Sequence, residues 1–400
     1  MLTYEAALAH LLAVMPPARP EKIPVAEAAG RFLAEAVTSP LDLPPFDNSA
    51  MDGYAVRAAD VAGARPDQPI ALRVLGQIGA GEVFPGNVGV QTCVRLFTGT
   101  LLPAGADAVV MQEDTRTHPD QPDRVQILDR VRPWENIRLR GEDVKAGVVV
   151  ATPGIRLGAG QLNLLSAVGT AAVRVARRPR VGVLATGSEL RPPGKPLAPG
   201  QIHESNRAML DALLAEAGAE ARTYPLVPDS LVRTRTALQR AFADCDAVVT
   251  TGGASVGKLD FVKAAFAELG GSQEFWKVAI KPGKPFLFGT LAGKFLFGLP
   301  GNPVSAFVTF LLLVRPALLR WQGAAQLSLP AHPGTLAEPL VNRGDRRHFV
   351  RVRVDDTGLV HSAGTQASHM LHSLALANGL VDVPPETTLA GGTMVRVLRC

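Results

Sequence analysis

A glycine-rich loop at residues 250–258, TTGGASVGK, has the composition of a phosphate-binding site. It follows a predicted strand and precedes a predicted helix, so backbone N–H groups can turn inward while the helix N-terminus adds about half a positive charge. The residues that we assign to this cradle are Thr250, Gly252, Gly253, Ser255 and Gly257. Seven of eight positions also match the Walker A pattern, but Leu259 replaces the hydroxyl residue that binds magnesium in a P-loop. The pattern therefore disfavours a Walker-type nucleotidase, and a glycine turn without a ligand is the alternative.

Lysines are concentrated in one region of the chain, which points to an anionic ligand. Six of the nine lysines lie between residues 258 and 294, whereas the cations elsewhere are mostly arginines. The loop at residues 276–285, WKVAIKPGKP, holds Lys277, Lys281 and Lys284 on a turn that its prolines and glycine stiffen. Repelling cations held together cost stability unless an anion offsets them, so this loop predicts an oxyanion or phosphate site. A surface loop with solvated lysines is the alternative.

A third rigid turn occupies residues 298–303, GLPGNP, directly before a predicted helix. Asn302 is a natural N-cap, and Pro303 is acceptable at the first helical position. Capping alone would therefore account for both residues.

Acidic residues stand in comparable positions at the ends of predicted elements: Asp52, Asp143, Glu189, Asp229 and Asp260. Three of them, Glu189, Asp229 and Asp260, would follow strands of a parallel sheet, whose carboxyl ends meet at one edge. A shared magnesium ion would offset the repulsion among these carboxylates. We therefore predict these three acids as metal ligands, although a turn or capping role would account for any one of them alone.

Composition and motifs argue against several classes of protein. Apolar residues make up 47% of the chain and charged residues 19%, which is typical of a globular protein. The net charge is +5, but 41 basic residues are set against 36 acidic ones without a long basic run, so nucleic-acid binding is not predicted. No HExxH motif occurs, and no GxGxxG fingerprint follows a strand, which argues against a histidine metal site and a dinucleotide site.

The cysteines and the apolar segments predict a cytoplasmic protein. Cys93, Cys245 and Cys400 are far apart and form no CxxC pair, so neither disulfides nor a cysteine zinc site is predicted. The longest apolar stretch, 304–314, has 11 residues, against the roughly 20 that span a bilayer. The N-terminus is acidic where a signal peptide would be basic. We expect neither a membrane segment nor an export signal.

The order of predicted elements divides the chain into four units. Residues 1–45 and 137–176 predict a helical and mixed N-terminal unit, interrupted by an inserted β unit at 46–136 with short β-like runs. Residues 177–326 alternate strands, including one at 275–280, with helices, which predicts a mainly parallel three-layer α/β sheet. Residues 327–400 predict a small β-barrel. The predicted fold class is a multidomain α/β and β protein, with its functional loops at the carboxyl ends of the parallel strands.

Seven loops occur in one order that is typical of a single family. They are 47–56 (DNSAMDGYAV), 97–114 (ending PAGADAVVMQED), 140–143 (RGED), 186–190 (TGSEL), 250–257 (TTGGASVG), 277–285 and 298–305 (GLPGNPVS). In these loops the chain resembles the MoeA family of molybdopterin molybdenumtransferases, which is related to the E domain of gephyrin. The resemblance covers nearly the whole chain. It implies that the α/β unit is MogA-like and binds molybdopterin, and that the N-terminal unit serves dimerisation.

The resemblance also implies a reaction. Adenylylated molybdopterin and molybdate would give molybdenum cofactor and AMP with the help of Mg²⁺. The family implies a homodimer whose active cleft lies between the α/β unit of one subunit and the inserted β unit of the other. An adenylyltransferase would be a possible partner.

Matched by position, the five acids above resemble functional acids of the family, with Asp260 the first choice for the metal. Lys277 and Lys281 would neutralise substrate phosphates, and Thr98 matches a site residue of the β unit. The residues that resemble those around the molybdate pocket are Lys284, Pro285, Ser305, Arg351 and Ser368. The substrate-binding turn beside them would be held by Pro300, Asn302 and Pro303.

Two alternative functions stay open at this point. The adenylyltransferases that precede this step share a similar α/β module and a TTGG loop, but they are usually short chains without the inserted β unit and the tail. A non-enzymatic pterin-binding scaffold is the second alternative. Such a scaffold has no need for the five acids and the lysine loop that this chain keeps.

Overall fold

The computed structural model describes residues 1–253 and 261–400, which include a central six-stranded sheet. In order across the sheet, its strands are Glu220–Thr223, Arg180–Ala185, Ala247–Thr251, Lys294–Leu299, Leu287–Leu291 and Ser272–Trp276. The first four strands pair in parallel, and the other two pairings are antiparallel. Val183, Val249 and Phe297 are completely buried, as expected of strands covered on both faces.

Helices cover both faces of this sheet, which confirms the three-layer α/β prediction. The helices of the first face are Tyr4–Val14, Asn206–Glu216 and Pro303–Trp321. The helices of the second face are Leu231–Asp244 and Phe261–Glu268. Because side chains alternate along a strand, Val181 and Val183 pack toward the first face and Leu184 toward the second.

The helix Pro303–Trp321 lies in the core, although its length and composition would also suit a membrane span. It consists of two α-helical segments, Pro303–Thr309 and Arg315–Trp321, joined by the π-helical turn Phe310–Val314. Of its most apolar 18-residue window, 78% is buried. Arg315 ends the apolar run of 11 residues but not the predicted helix, which continues to Trp321. Its guanidinium donates to the carbonyl of Leu327 at 3.0 Å, which accommodates the charge within the fold.

A separate six-stranded sheet lies between residues 53 and 127. In order across it, the strands are Ala108–Met111, Gly53–Val56, Thr92–Leu96, Ile70–Ile78, Gln121–Ile127 and Thr115–His118. Its two sides carry different apolar clusters, with Tyr54 and Val110 in one and Ala55 and Val109 in the other. The sheet is therefore packed on both sides despite its small size.

The chain segments before and after this sheet pair with each other. Three antiparallel pairings join them: Pro20–Pro24 with Ala172–Ala176, Val37–Thr38 with Val149–Ala151, and Asn48–Ser49 with Ile137–Arg138. The short helices of this part of the chain are Val25–Glu27, Ala58–Val61, Gln112–Asp114 and Ala159–Ala167. The pairings place the β sheet as an insertion, while the unit boundaries at residues 46, 137, 177 and 327 stay predictions.

The C-terminal part forms a closed five-stranded barrel, as predicted. In order around the barrel, its strands are Arg347–Val354, Leu359–Ser362, Ala331–Leu336, Met394–Arg399 and Gly379–Val383. The last strand pairs again with the first, so these five strands leave no open edge among themselves. Beside the barrel lie the strands Leu340–Asn342 and Thr387–Leu389 and the helix Leu371–Leu376.

The lysine loop connects the α/β sheet to the barrel. The apolar run at 275–280 predicts one strand, but the structure has two strands in different sheets, Ser272–Trp276 and Ile280–Lys281. Between them, Lys277 adopts a φ of +73°, which lies outside the extended region and ends the first strand. Ile280–Lys281 then pairs in parallel with the barrel strand Arg347–Val354. This pairing fixes the lysine loop against the barrel.

Candidate functional site

A cavity of about 680 Å³ lies at the carboxyl ends of the parallel strands Arg180–Ala185 and Ala247–Thr251. The predicted site residues that line it are Glu189, Asp229, Gly252, Gly253, Pro285, Pro300, Asn302 and Pro303. We call this space the acidic cavity, after Glu189 and Asp229. The glycine loop, two acids and the GLPGNP turn thus meet at one edge of the sheet.

The two acids are held by a reciprocal contact between their loops. The backbone N–H of Ser188 donates to Asp229 Oδ2 at 3.0 Å, and the N–H of Asp229 donates to Ser188 Oγ at 2.9 Å. The backbone of Gly187 passes so close to Glu189 that a Cβ there would lie 2.7 Å from Glu189 Oε2. The loop geometry therefore presents both carboxylates to the same space.

The start of the glycine loop forms the floor of the acidic cavity. Gly252 and Gly253 adopt φ angles of +81° and +68°, a region that favours glycine. A Cβ on Gly252 would lie 2.5 Å from the carbonyl oxygen of Thr186, closer than atoms can approach. This backbone arrangement accounts for the two glycines whether or not a ligand binds. Because glycine has no side chain, the loop backbone also stays accessible to a ligand.

Buried polar atoms around this floor lack hydrogen-bond partners within the described chain. They are Thr186 Oγ1 and Asn206 Oδ1, both of residues that line the cavity. The Asn206 amide is oriented by two bonds from its Nδ2, to Thr251 Oγ1 at 2.6 Å and to the carbonyl of Gly301 at 2.8 Å. Buried polar groups are almost always satisfied by protein, water or ligand, so these atoms are consistent with a polar guest in the cavity.

Three predicted site residues, Ser255, Gly257 and Asp260, lie outside the described residues. Among residues 1–253 and 261–400, no group of three His, Cys, Asp and Glu side chains is placed to hold a metal ion. Glu189 and Asp229 do share one cavity, and carboxylates are the hard oxygen ligands that Mg²⁺ takes. The described acids therefore fit a magnesium ion as two ligands of an incomplete set.

A second cavity, of about 410 Å³, lies between the lysine loop and the barrel. The predicted site residues in its lining are Lys281, Lys284, Pro285, Pro300, Asn302, Ser305 and Ser368. We call it the lysine cavity, after Lys281 and Lys284. Four residues line both cavities: Pro285, Pro300, Asn302 and His369. Because the cavities share this wall, ligands held in the two would be neighbours.

The shared wall is tied to the barrel by hydrogen bonds. Asn302 occupies the N-cap position of the helix Pro303–Thr309, but its side chain makes no capping bond. Its Nδ2 donates instead to Ser368 Oγ at 2.9 Å, and the N–H of Val304 donates to the Ser368 carbonyl at 3.3 Å. The interpretation of Asn302 as a simple cap is therefore wrong, because the barrel offers its amide a better-placed partner.

Three predicted site residues of the α/β and C-terminal units, Thr250, Lys277 and Arg351, lie outside the described linings of both cavities. The Lys277 ammonium is 3.8 Å from the centre of the Trp276 ring. Arg351 is completely buried, and its Nη2 donates to the Thr365 carbonyl at 2.8 Å and to Ser373 Oγ at 2.9 Å. Burial lowers the pKa of Arg351 from its ordinary value. Arg351 thus supports the wall of the lysine cavity from behind.

Asp52 and Thr98 form a hydrogen-bonded pair on the inserted sheet. Thr98 donates to Asp52 Oδ1 from its N–H and from its hydroxyl, each at 2.8 Å. These bonds hold the pKa of Asp52 below its ordinary value, so the carboxyl stays ionised. Asp143 lies in another loop, where its N–H donates to the Leu43 carbonyl at 3.1 Å. Within one chain, the structure does not bring these three residues into the described lining of either cavity.

Sequence reasoning missed many of the residues that line the cavities, among them His203, Glu204, His369, Leu371 and Arg346. His203 belongs to the short strand Ile202–His203, which pairs with Leu190–Arg191 directly after Glu189. The histidines have no metal-binding spacing, and Arg346 is one of many arginines, so neither residue type indicated a binding site. The position of His369 next to Ser368 was the only available indication.

Three family models match successive parts of the chain. Residues 2–169 match the MoeA N-terminal region (domain I and II). Residues 182–320 match a probable molybdopterin binding domain, and residues 333–399 match the MoeA C-terminal region (domain IV). The matches follow one another along nearly the whole chain.

Curated relatives and solved structures are similar over almost their full length. A molybdopterin molybdenumtransferase of Haemophilus influenzae is 40% identical, with 96% of this chain and 95% of that protein covered. Molybdopterin molybdenumtransferase 2 of Mycobacterium tuberculosis is 41% identical, with 95% of each chain covered. The crystal structure of a molybdopterin biosynthesis MoeA protein from Pyrococcus horikoshii has a TM-score of 0.83 at 32% identity, covering 100% of both chains.

Proposed function

The chain belongs to the MoeA family, and we propose that it acts as a molybdopterin molybdenumtransferase in molybdenum cofactor biosynthesis. In the proposed reaction, molybdenum from molybdate enters adenylylated molybdopterin, AMP is released and molybdenum cofactor is formed. The observation that carries the proposal is a pair of adjoining cavities with opposite chemistry. One presents carboxylates and a glycine loop, the other presents lysines, and four residues line both.

In the acidic cavity, the chain's own groups would bind the phosphates of the adenylylated pterin. The backbone N–H groups of Gly252 and Gly253 stand at the carboxyl end of a parallel strand, a common position for phosphate contacts. Glu189 and Asp229 would hold Mg²⁺, with Asp260 as the proposed third ligand. When bound there, the ion would supply positive charge that stabilises cleavage of the phosphoanhydride.

In the lysine cavity, Lys281 and Lys284 would bind molybdate as compact ammonium charges. Pro285 and Pro300 stiffen the wall between the cavities, so little conformational freedom is lost when the oxyanion binds. The shared wall would hold molybdate beside the bound pterin. Since the pterin dithiolene supplies the sulfur ligands, the reaction requires no protein cysteine.

The active site would be completed by a second subunit. The ionised Asp52 and its hydrogen-bond donor Thr98 form a pair that lies outside both described cavities of its own chain. In a homodimer, this pair and Asp143 would face the acidic cavity of the other subunit. An adenylyltransferase that supplies the adenylylated pterin is the proposed partner, and the cytoplasm is the proposed location.

The test removes one carboxylate charge at a time from the acidic cavity. Glu189→Gln and Asp229→Asn keep side-chain size, and AMP release is measured with adenylylated molybdopterin, molybdate and Mg²⁺. We expect each variant to be about 100-fold slower, the scale of losing one preorganised electrostatic contact. Asp356→Asn, at an exposed acid of the barrel, is the matched control and should keep the wild-type rate.

Wild-type AMP release in both cavity variants would contradict the assignment of the site. Pyrophosphate formation from molybdopterin and ATP would identify the adenylyltransferase alternative instead. Pterin binding without any turnover by the wild-type protein would favour the scaffold.

A further inference from the structure

His348 is a buried histidine of the barrel whose two ring nitrogens both lack a partner. Its side chain is 4% exposed, and neither Nδ1 nor Nε2 makes a hydrogen bond within the described chain. Arg351 is completely buried, and its Nη1 likewise makes no hydrogen bond within the described chain. Since buried polar groups are almost always hydrogen-bonded, these atoms require an explanation.

Cations act on His348 from its own strand and from the neighbouring one. Lys281 is its register partner across the pairing of Ile280–Lys281 with the barrel. Arg346 and Arg351 flank it along the chain, and both contribute to its electrostatic environment. His348 is therefore buried beside a cluster of positive charge, which consists of the exposed Lys281, the partly buried Arg346 and the buried Arg351.

The acids around this cluster leave its charge largely uncompensated. Across the other barrel pairing, the register partner of His348 is the apolar Val383. Asp382, next to it, faces the opposite side of the sheet, the side on which Arg351 also starts, and there it binds Arg347. Asp345 lies 3.5 Å from Arg346, but its side chain is 84% exposed, so solvent screens its charge.

The cluster adjoins the lysine cavity directly. Lys281 and Arg346 are part of the cavity lining. Arg351 exchanges two hydrogen bonds with Gln366, another lining residue: its N–H donates to Gln366 Oε1 and its carbonyl accepts from Gln366 Nε2, each at 3.0 Å. An anion in the lysine cavity would therefore change the electrostatic potential at the His348 ring without contacting His348.

We propose that His348 takes up a proton when a doubly charged oxyanion enters the lysine cavity, so that oxyanion binding there is coupled to protonation. This inference rests on the proposed function, because it assumes that the lysine cavity binds molybdate. His348 is a positioning residue in this account, since it acts through Lys281, Arg346 and Arg351.

The electrostatics determine the direction of the effect. In the protein without an anion, burial and the cations Lys281, Arg351 and Arg346 lower the pKa of His348 to about 4, so the imidazole is neutral at pH 6. A bound dianion offsets these cations and raises the pKa. A group whose pKa rises on binding strengthens binding below the raised pKa, and this gain is lost as the pH increases through it.

The size of the effect follows from the pKa in the bound state. Burial, the largest cause of the lowered pKa, stays when the dianion binds, so the ordinary histidine pKa of about 6.5 is the upper limit in the bound state. At that limit, binding is about fourfold tighter at pH 6 than at pH 8, and about tenfold tighter at pH 5.5 than at pH 8. At pH 6, about three-quarters of a proton is then taken up for each anion bound.

The test is calorimetric titration of the full-length protein with molybdate, and in parallel with sulfate, which stays a dianion over this pH range. Titrations at pH 6 in two buffers with different protonation enthalpies give the number of protons taken up. We expect this uptake in the wild type and its loss in His348→Gln. His332→Gln, at an exposed histidine of the same barrel, is the matched control and should behave as the wild type.

Each outcome decides one point. Binding with the same heat in both buffers would overturn the inference and leave the proposed function intact, whereas no binding of either oxyanion would overturn both. Uptake that persists in His348→Gln would show that another group accepts the proton and would overturn the assignment to His348. His348→Leu, which suits an apolar environment, replaces the glutamine variant if that variant does not fold, and the wild-type measurement is decisive by itself.

Discussion

Gly252→Ala tests whether the close backbone approach at the glycine loop holds the acidic cavity together. Gly252 has a φ of +81°, and a Cβ there would lie 2.5 Å from the carbonyl oxygen of Thr186. The obstructing atom belongs to the backbone, so it cannot move away by a rotamer change. Gly200 is a matched control, because its φ is also +81° while a Cβ there would meet no atom of another described residue within 4 Å, apart from its chain neighbours.

The comparison separates two costs. Gly200→Ala meets only the strain of the left-handed conformation, about 1–2 kcal/mol. Gly252→Ala adds a displacement of the Thr186 backbone, for which overpacking changes of about 1–3 kcal/mol are the guide. We therefore expect Gly252→Ala to lower the free energy of unfolding by about 2–5 kcal/mol, which is about 1–3 kcal/mol more than Gly200→Ala.

Urea titration followed by tryptophan fluorescence measures this difference. Trp321 and Trp276 pack against the clusters on the two faces of the central sheet, so their emission reports on this unit. Transition midpoints of the two variants are compared directly, since a multidomain chain need not unfold in two states. Equal midpoints would refute the close-approach argument. AMP binding, measured alongside, should weaken in Gly252→Ala and stay unchanged in Gly200→Ala.

Two further predictions concern charged groups of the site. Thr98→Val removes the hydroxyl that donates to Asp52, so the lowered pKa of Asp52 should rise toward its ordinary value in an NMR titration. Because folding lowers the pKa of Asp52, this carboxylate stabilises the fold above its unfolded-state pKa, and the stabilisation is lost as the pH falls through the folded-state pKa. An unchanged pKa in Thr98→Val would assign the lowered pKa to the Thr98 N–H alone. Lys281→Met should weaken molybdate binding by at least about tenfold in calorimetry, the scale of one hydrogen bond to a charged group. Lys145→Met, at an exposed lysine away from the lysine cavity, should bind as the wild type, and equal affinity in both variants would contradict the role of Lys281.

Local sequence patterns determined the elements and the composition of the loops. Apolar runs such as those of Arg180–Ala185 and Ala247–Thr251 predict strands buried on both faces, and both strands lie inside the parallel part of the central sheet. The small C-terminal barrel likewise followed from short strands separated by turns. The helix predicted after the GLPGNP turn also forms, as Pro303–Trp321. Only the structure shows that the charge of Arg315 inside it is satisfied by the carbonyl of Leu327.

Only the tertiary structure decided which of the predicted residues meet. Lys277 and Lys281 are neighbours in one loop, yet the turn at Lys277 leaves its ammonium over Trp276 while Lys281 lines the lysine cavity. The hydrogen bond between Asn302 and Ser368 joins segments 66 residues apart. It forms a cavity wall from two loops, and the sequence of neither loop predicts this contact. The physical reason is that conformation along a strand or turn depends on adjacent residues, whereas cavity walls, burial and the ionisation of a group such as His348 depend on how whole units pack.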